Sequence, residues 1–407
     1  MAARLLTALS ARGPILCLTK SDIGYSGTVF DGKNPMVSSY LNQKPWHAAP
    51  ALLRLMEGQE LFGAKDEARK PIIVVGQPDL LAQLADHFFM LNPTKLGICN
   101  LLDHTIIDVA QQLRTAALVK AESSPEGISE IDEITPLRLS ISKLVNILGL
   151  TEDVPLSRTL CEAFVLMRSK EGLTEAQLSE IIDTALFNPP DYSKLPKEGK
   201  ATPRRIALDI EVMNPNHPVD SLLAVGMAAG PINEPIDTRF RVDVLYDGPI
   251  DNAWWESEEM KPILERIREN GVPLKEARRK MARFILDEFA KGGPLQIVTD
   301  YASFDYGVWI THLWQGFEDL YRANEISIDG PRCLTTSLSV ADKDQMIRVL
   351  LGVKDSERWV SDDDLAKRMD FTKPEIPPGR KHEPDFDAAY IREFYDLMRP
   401  RISSCAV

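Results

Sequence analysis

Arg205-Ile-Ala-Leu-Asp-Ile-Glu211 is the stretch on which the reading of this chain turns. It follows a Pro-rich, basic approach that ends at Arg205, and beyond that arginine it is apolar apart from its two acids. A short apolar segment entered in this way reads as a buried strand. Side chains two positions apart on a strand point to the same face, so Asp209 and Glu211 share one. Burying an unpaired carboxylate is costly. Two like charges on one face therefore call for a cation between them, and hard oxygen donors suit Mg2+ or Mn2+. The competing reading is a strand end with two solvated acids.

Two later segments add donors. Leu295-Gln-Ile-Val-Thr-Asp-Tyr-Ala-Ser-Phe-Asp305 reads as a strand to Thr299, then a helix from about Phe304 with Trp309 and Leu313 on the face of Asp305. An acid in a first helical turn also suits the helix dipole, so Asp305 has a structural explanation too, and Asp300 is a competing ligand. Residues 372–381 carry three prolines and cannot be helical; they deliver His382-Glu-Pro-Asp-Phe-Asp387 to a helix expected from about Asp385 to Met398. Trp254 and Trp255 are either core anchors or a stacking face for a terminal base.

Taken in order, Asp209-x-Glu211, Ser303-Phe304-Asp305 and His382-x4-Asp387 resemble the three motifs of the DEDDh 3′–5′ exonucleases, the RNase T and proofreading-exonuclease superfamily. The paired tryptophans resemble its phage exonuclease A-like branch. The resemblance covers about residues 204–400. It implies an RNase H-like mixed sheet flanked by helices, with two Mg2+ (or Mn2+) ions held by Asp209, Glu211, Asp305 and Asp387. It further implies His382 as general base, and Trp255 and Phe304 against the substrate. The implied reaction is hydrolysis of phosphodiester bonds at the 3′ end of single-stranded DNA or RNA. The second motif departs from the family pattern, with Tyr301 or Ala302 where a polar residue is expected. The alternative is a catalytically inactive nuclease-like protein that binds nucleic acid or docks a partner.

Composition bounds these readings. The 407 residues carry a net charge of −13, the C-terminal half being the more acidic. That disfavours a protein coating a long nucleic-acid footprint, which needs a basic face, and tolerates an enzyme gripping one end. The five cysteines are far apart, which suits free thiols in a reducing, cytoplasmic setting, phage or bacterial by the resemblance. No apolar run is long enough for a membrane span. The first twenty residues hold Arg4, Arg12 and Lys20 and no acid, a weak organelle-targeting pattern; Pro14 to Thr19 reads equally as a first strand.

The expected organisation is α/β throughout: a mostly helical α/β domain over 1–187, a linker over 188–203, and the nuclease-like domain over 204–407. In the first domain, Pro71 to Val75 reads as a strand, and Leu80, Leu81, Leu84 and Phe88 as the helix after it. Helices dominate from about 105 to 187, around an acidic loop over 122–133. Ser157 is read as an N-cap, and Thr174 with Gln177 as a capping box stapled by Leu173 and Leu178. Trp46 is expected to anchor a core. No nucleotide fingerprint is present, and this half is read as a scaffold, a protein-partner module or a substrate-presenting domain. His217 is read as a solvated loop residue and Cys333 as buried. Lys275, Arg279 and Arg283 form a helix face that is either paired with acids or aimed at phosphates.

Overall fold

The computed structural model describes residues 14–21, 24–31, 36–57, 71–91, 101–103, 105–122, 138–150, 155–169, 174–187, 203–250, 252–292, 295–327, 331, 334, 338–353 and 361–405. In the first half, β1 (Ile15–Ser21), β2 (Gly24–Phe30) and β3 (Val37–Asn42) form an antiparallel meander, followed by α1 (Pro45–Glu57). The chain returns as β4 (Ile72–Val75), parallel to β1 on its free side. After α2 (Leu81–Met90) it adds β5 (Ile106–Asp108), parallel to β4. The helices α3 (Val109–Glu122), α4 (Ile141–Leu148), α5 (Leu156–Ser169) and α6 (Glu175–Thr184) follow, with a small ribbon of β6 (Arg138–Leu139) and β7 (Leu186–Phe187).

The second half opens with another antiparallel meander, β8 (Arg204–Val212), β9 (Leu222–Pro231) and β10 (Thr238–Asp243). After α7 (Lys261–Asn270) and α8 (Leu274–Gly292), β11 (Leu295–Thr299) runs parallel to β8. Then come α9 (Asp305–Arg322), β12 (Ser339–Asp342) parallel to β11, α10 (Lys343–Leu351), α11 (Asp362–Arg368) and α12 (Pro384–Met398). The two five-stranded sheets have orders β3-β2-β1-β4-β5 and β10-β9-β8-β11-β12.

Each sheet is covered on both faces. In the second, Ile206, Leu208, Met227 and Ile297 pack beneath α8 and α9, while Ala207, Ala228, Val298 and Ala341 face α10 and α12. Those alanines let α12 lie close to the strands. At Gly226 the approach is so tight that an added Cβ would sit 2.0 Å from the Pro384 carbonyl carbon. Midway along α12, fully buried Arg392 donates to the carbonyls of Arg205 (2.6 Å) and Pro231 (2.8 Å), fixing the helix across β8 and β9. Burying a charge this deeply is tolerated because each donor is satisfied.

The α/β class holds in both halves, and in the first the expected helices flank a five-stranded sheet that the sequence showed only in part. Gly24-Tyr-Ser-Gly-Thr-Val-Phe30 looks like turns because of its glycines, yet it forms a buried central strand. Sheet context overrides weak local propensity. Trp46 is 49% exposed rather than a core anchor, edge-on to His47 and His87. Ser157 lies just inside α5 and bonds to Thr28 and Ser26 instead of capping. The Thr174–Gln177 capping box is present as expected. Leu173, Cys333, residues 1–13, the loop over 123–133 and the linker over 188–202 lie outside the described residues. No helix among the described residues is long and apolar enough to cross a membrane.

Candidate metal centre and active site

The carboxylates converge at the C-terminal ends of β8 and β11. Asp209 pairs with Gly226 across the β8–β9 ladder, and Gly226 is where the start of α12 rests on the sheet. A residue with any side chain there would lift α12, and Asp387 with it, away from β8. Asp305 opens α9 directly after β11; its Oδ2 accepts from Thr299 Oγ1 (2.9 Å) and from the Tyr301 N–H (3.2 Å). The residues of three distant motifs thus meet because two parallel strands end together and one helix crosses them.

The electrostatics are those of a crowded anionic site. Burial, then Glu211, Asp305, Asp387 and Asp300, push the Asp209 carboxyl well above its ordinary range. Burial, then Asp387 and Asp305, do the same to Glu211. Burial and Asp300 raise Asp305 to about 8, and burial raises Asp387 to about 7 although the His382 backbone N–H opposes it. Asp209 Oδ2 is buried with no protein hydrogen-bond partner among the described residues. Such an atom is expensive without a counter-charge.

His382 stands in left-handed backbone geometry (φ 64°), a conformation that non-glycine residues adopt at a cost. Its backbone N–H to Asp387 explains why this turn is held, and why the histidine precedes the acid at this spacing. His382 Nδ1 is 3.8 Å from Glu211 Oε1, and donor atoms of Glu211, His382 and Asp387 lie within 4.8 Å of one another. Burial and then Lys381 lower the imidazole pKa, so the ring is neutral near pH 7.

The tryptophan pair divides its work, which corrects one expectation. Trp255 is fully buried, and its Nε1 donates to the Val212 carbonyl (3.0 Å), locking the turn against the end of β8. It therefore cannot stack on a ligand. Trp254 is 40% exposed and stands edge-on to His382, with ring centroids 5.0 Å apart at 90°. Phe304 is partly buried between the cores of the two halves.

Several supporting residues escaped sequence reasoning. Glu383 stands at the N-terminal boundary of α12, where its carboxylate accepts from Arg266 (2.7 Å), Arg241 (3.0 Å) and Arg380 (3.1 Å) and so fixes the backbone that carries His382 and Asp387. Burial raises its pKa, but Arg266 and Arg380 outweigh this and hold it below the usual carboxylate range. Buried Lys343 binds Asp300 (3.0 Å) and Asp362 (2.7 Å), so Asp300 already has a cation and Asp305 is the better-placed ligand. The arginine face on α8 is paired with acids: Arg279 and Arg283 both meet Glu325. His217 is not a free loop residue; its Nδ1 lies 2.9 Å from Asp86 of α2. An Arg–Glu contact between α7 and α12 leaves no periodic trace in sequence, which is why none of these could be read there.

A scan against protein-family models and a search of curated proteins return no match to this chain. The donor set itself therefore carries the argument. Asp209, Glu211, Asp305 and Asp387 are oxygen donors of the kind hard divalent cations take; Glu211 and Asp387 stand close enough, with His382, to share an ion, and the orphaned Asp209 oxygen lies in the field of the other three acids. The residues present fit Mg2+ or Mn2+.

Proposed function

We propose that the chain is a metal-dependent 3′–5′ exonuclease that hydrolyses phosphodiester bonds at the 3′ end of single-stranded DNA or RNA. The buried, unpartnered Asp209 oxygen in the field of Glu211, Asp305 and Asp387, with a neutral histidine beside Glu211, is the observation that carries this reading. The strand order of the second half, with β9 alone running against the other four strands, supports an RNase H-like assignment of that half.

Asp209, Glu211 and Asp387 would hold two Mg2+ or Mn2+ ions, with Asp305 contributing from the second segment. Bound there, such ions lower the pKa of water and neutralise charge developing on a phosphate. The chain's own residues supply the remainder. His382 takes a proton from the attacking water on the Glu211 side of the cluster, where its Nδ1 faces that carboxylate. Trp254, exposed beside His382, offers a flat face to a terminal base. Glu383 and its three arginines keep the His382 turn in place while the substrate changes.

The test uses 5′-labelled single-stranded RNA and DNA with wild type and Asp209→Ala, in Mg2+ or in EDTA. A ladder shortening from the 3′ end only with wild type and metal is expected. Intact substrate in every lane would leave a nucleic-acid-binding or partner-docking protein built on the same fold.

A further inference from the structure

The two sheets share more than their strand order. In each, an antiparallel meander is followed by a strand parallel to the first, then a helix, then a further parallel strand that runs directly into a helix. Helix α5 lies across β1 and β2 as α12 lies across β8 and β9. The registers align the strands residue by residue. Leu18 is the last residue of β1 paired with β4, and Leu208 the last of β8 paired with β11. Thr19 and Ser21 thus stand where the second half has Asp209 and Glu211. Opposite Thr19 is Ser26, opposite Asp209 is Gly226, and both positions receive the start of the covering helix.

The contact between the halves is reciprocal. Asp108 caps α3 by accepting the Gln111 N–H, and Asp342 caps α10 by accepting the Gln345 N–H. The Gln111 side chain donates to the Val340 carbonyl (3.0 Å) and accepts the Asp342 N–H (3.4 Å) on the edge strand β12. The Gln345 side chain donates to the Ile106 carbonyl (2.9 Å) and accepts the Asp108 N–H (3.4 Å) on the edge strand β5. Residue i meeting j while j's equivalent meets i's equivalent is the signature of a two-fold interface. Each glutamine amide pairs with the open edge of the other sheet as a strand would.

We propose that the first half is a second copy of the fold of the second half, stripped of the carboxylates equivalent to Asp209 and Glu211, serving as a built-in partner subunit across an approximate two-fold axis between Gln111 and Gln345. Its service is one-sided. The β1–β2 connection is only residues 22–23, but the β8–β9 loop is long and reaches α2 of the first half. There Asp86 accepts the Val219 N–H (2.9 Å) and faces His217, while buried His312 meets the Val219 carbonyl (2.9 Å). The stripped copy thereby holds the loop that leaves β8 just after Glu211. The duplication and its interface do not rest on the nuclease reading.

Hydrogen exchange on the full chain tests the reciprocity. Gln111→Ala is expected to speed exchange at 340–342 about fivefold, the equivalent of one net hydrogen bond, and Gln345→Ala to do the same at 106–108. Gln111→Met, which keeps the volume of the side chain and loses both hydrogen bonds without adding a charge, is the milder variant should the alanine form fail to fold. Exchange that changes only on the mutated side would overturn the two-fold contact. The full chain is expected to sediment as one 45.5 kDa species. A dimer that dissolves in Gln345→Ala would overturn the built-in partner. Neither readout uses cleavage. Reciprocal exposure without nuclease activity would sink the exonuclease reading alone, and Asp209-dependent cleavage without reciprocity would sink this one alone.

Discussion

The ends of β1 and β8 occupy the same place in two sheets of the same order, yet they differ in how their polar groups are satisfied. At β1, the Thr19 and Ser26 hydroxyls bond each other (2.8 Å), and Ser26 also accepts the Ser157 N–H (3.4 Å). At β8, the equivalent positions hold Asp209 and a glycine with no side chain to answer it, and Asp209 Oδ2 is left without a protein partner. The first corner is closed by its own hydrogen bonds. The second is assembled from groups that repel one another, an arrangement that a bound cation would relieve. A polar group satisfied internally stabilises the fold; one left unsatisfied in a buried place marks where a ligand belongs.

The contrast can be broken most directly at Asp209. Asp209→Asn should abolish metal-dependent cleavage while raising the Tm of the metal-free protein, because it removes a repelling charge; a lower Tm in EDTA would mean that Asp209 is a structural acid. Next in size, His382→Ala should slow cleavage by about 10²–10⁴, the usual range for a positioned general base, with Mn2+ affinity little changed. Single-turnover rates and calorimetry would separate the two effects. Trp255→Ala should cost about 3–5 kcal/mol of stability as a fully buried aromatic. Trp254→Ala should leave the denaturation midpoint nearly unchanged and raise KM by about tenfold, the loss of one stacked base. Equal stability losses for the two tryptophans would remove Trp254 from the substrate face.

A smaller effect sharpens the comparison through pH. Asp305 and Asp387 have folded-state pKa values of about 8 and about 7, both raised by burial. The metal-free fold therefore keeps protons that the unfolded chain releases near pH 4. Their contribution to stability is complete below that pH and is lost as pH rises through 7 to 8. The Tm in EDTA should fall from pH 5 to pH 8, and saturating Mn2+ should flatten the slope. Thr19 and Ser21 do not titrate, so Asp209→Asn should flatten it in part. A slope indifferent to both would separate the acid cluster from the stability of the fold.

Much of the second half was legible because its signals are local and periodic. The strand at 295–299, the helix opening at Asp305 and the helix ending at Met398 all follow from apolar spacing and proline placement. The first half was less legible: β2 and β3 are rich in glycine and hydroxyl residues, and a strand of that composition looks like a turn until its neighbours are known. The sequence by itself determined the α/β class and singled out the acids of the proposed site, since a carboxylate pair at strand spacing calls for a counter-charge where it is buried. Only the tertiary structure decided which tryptophan faces solvent, and that Gly226 lets α12 bring Asp387 against Asp209. It alone decided that two glutamines more than two hundred residues apart join two like sheets. Those are contacts between elements distant in the chain, set by packing across a shared core rather than by any pattern within one segment.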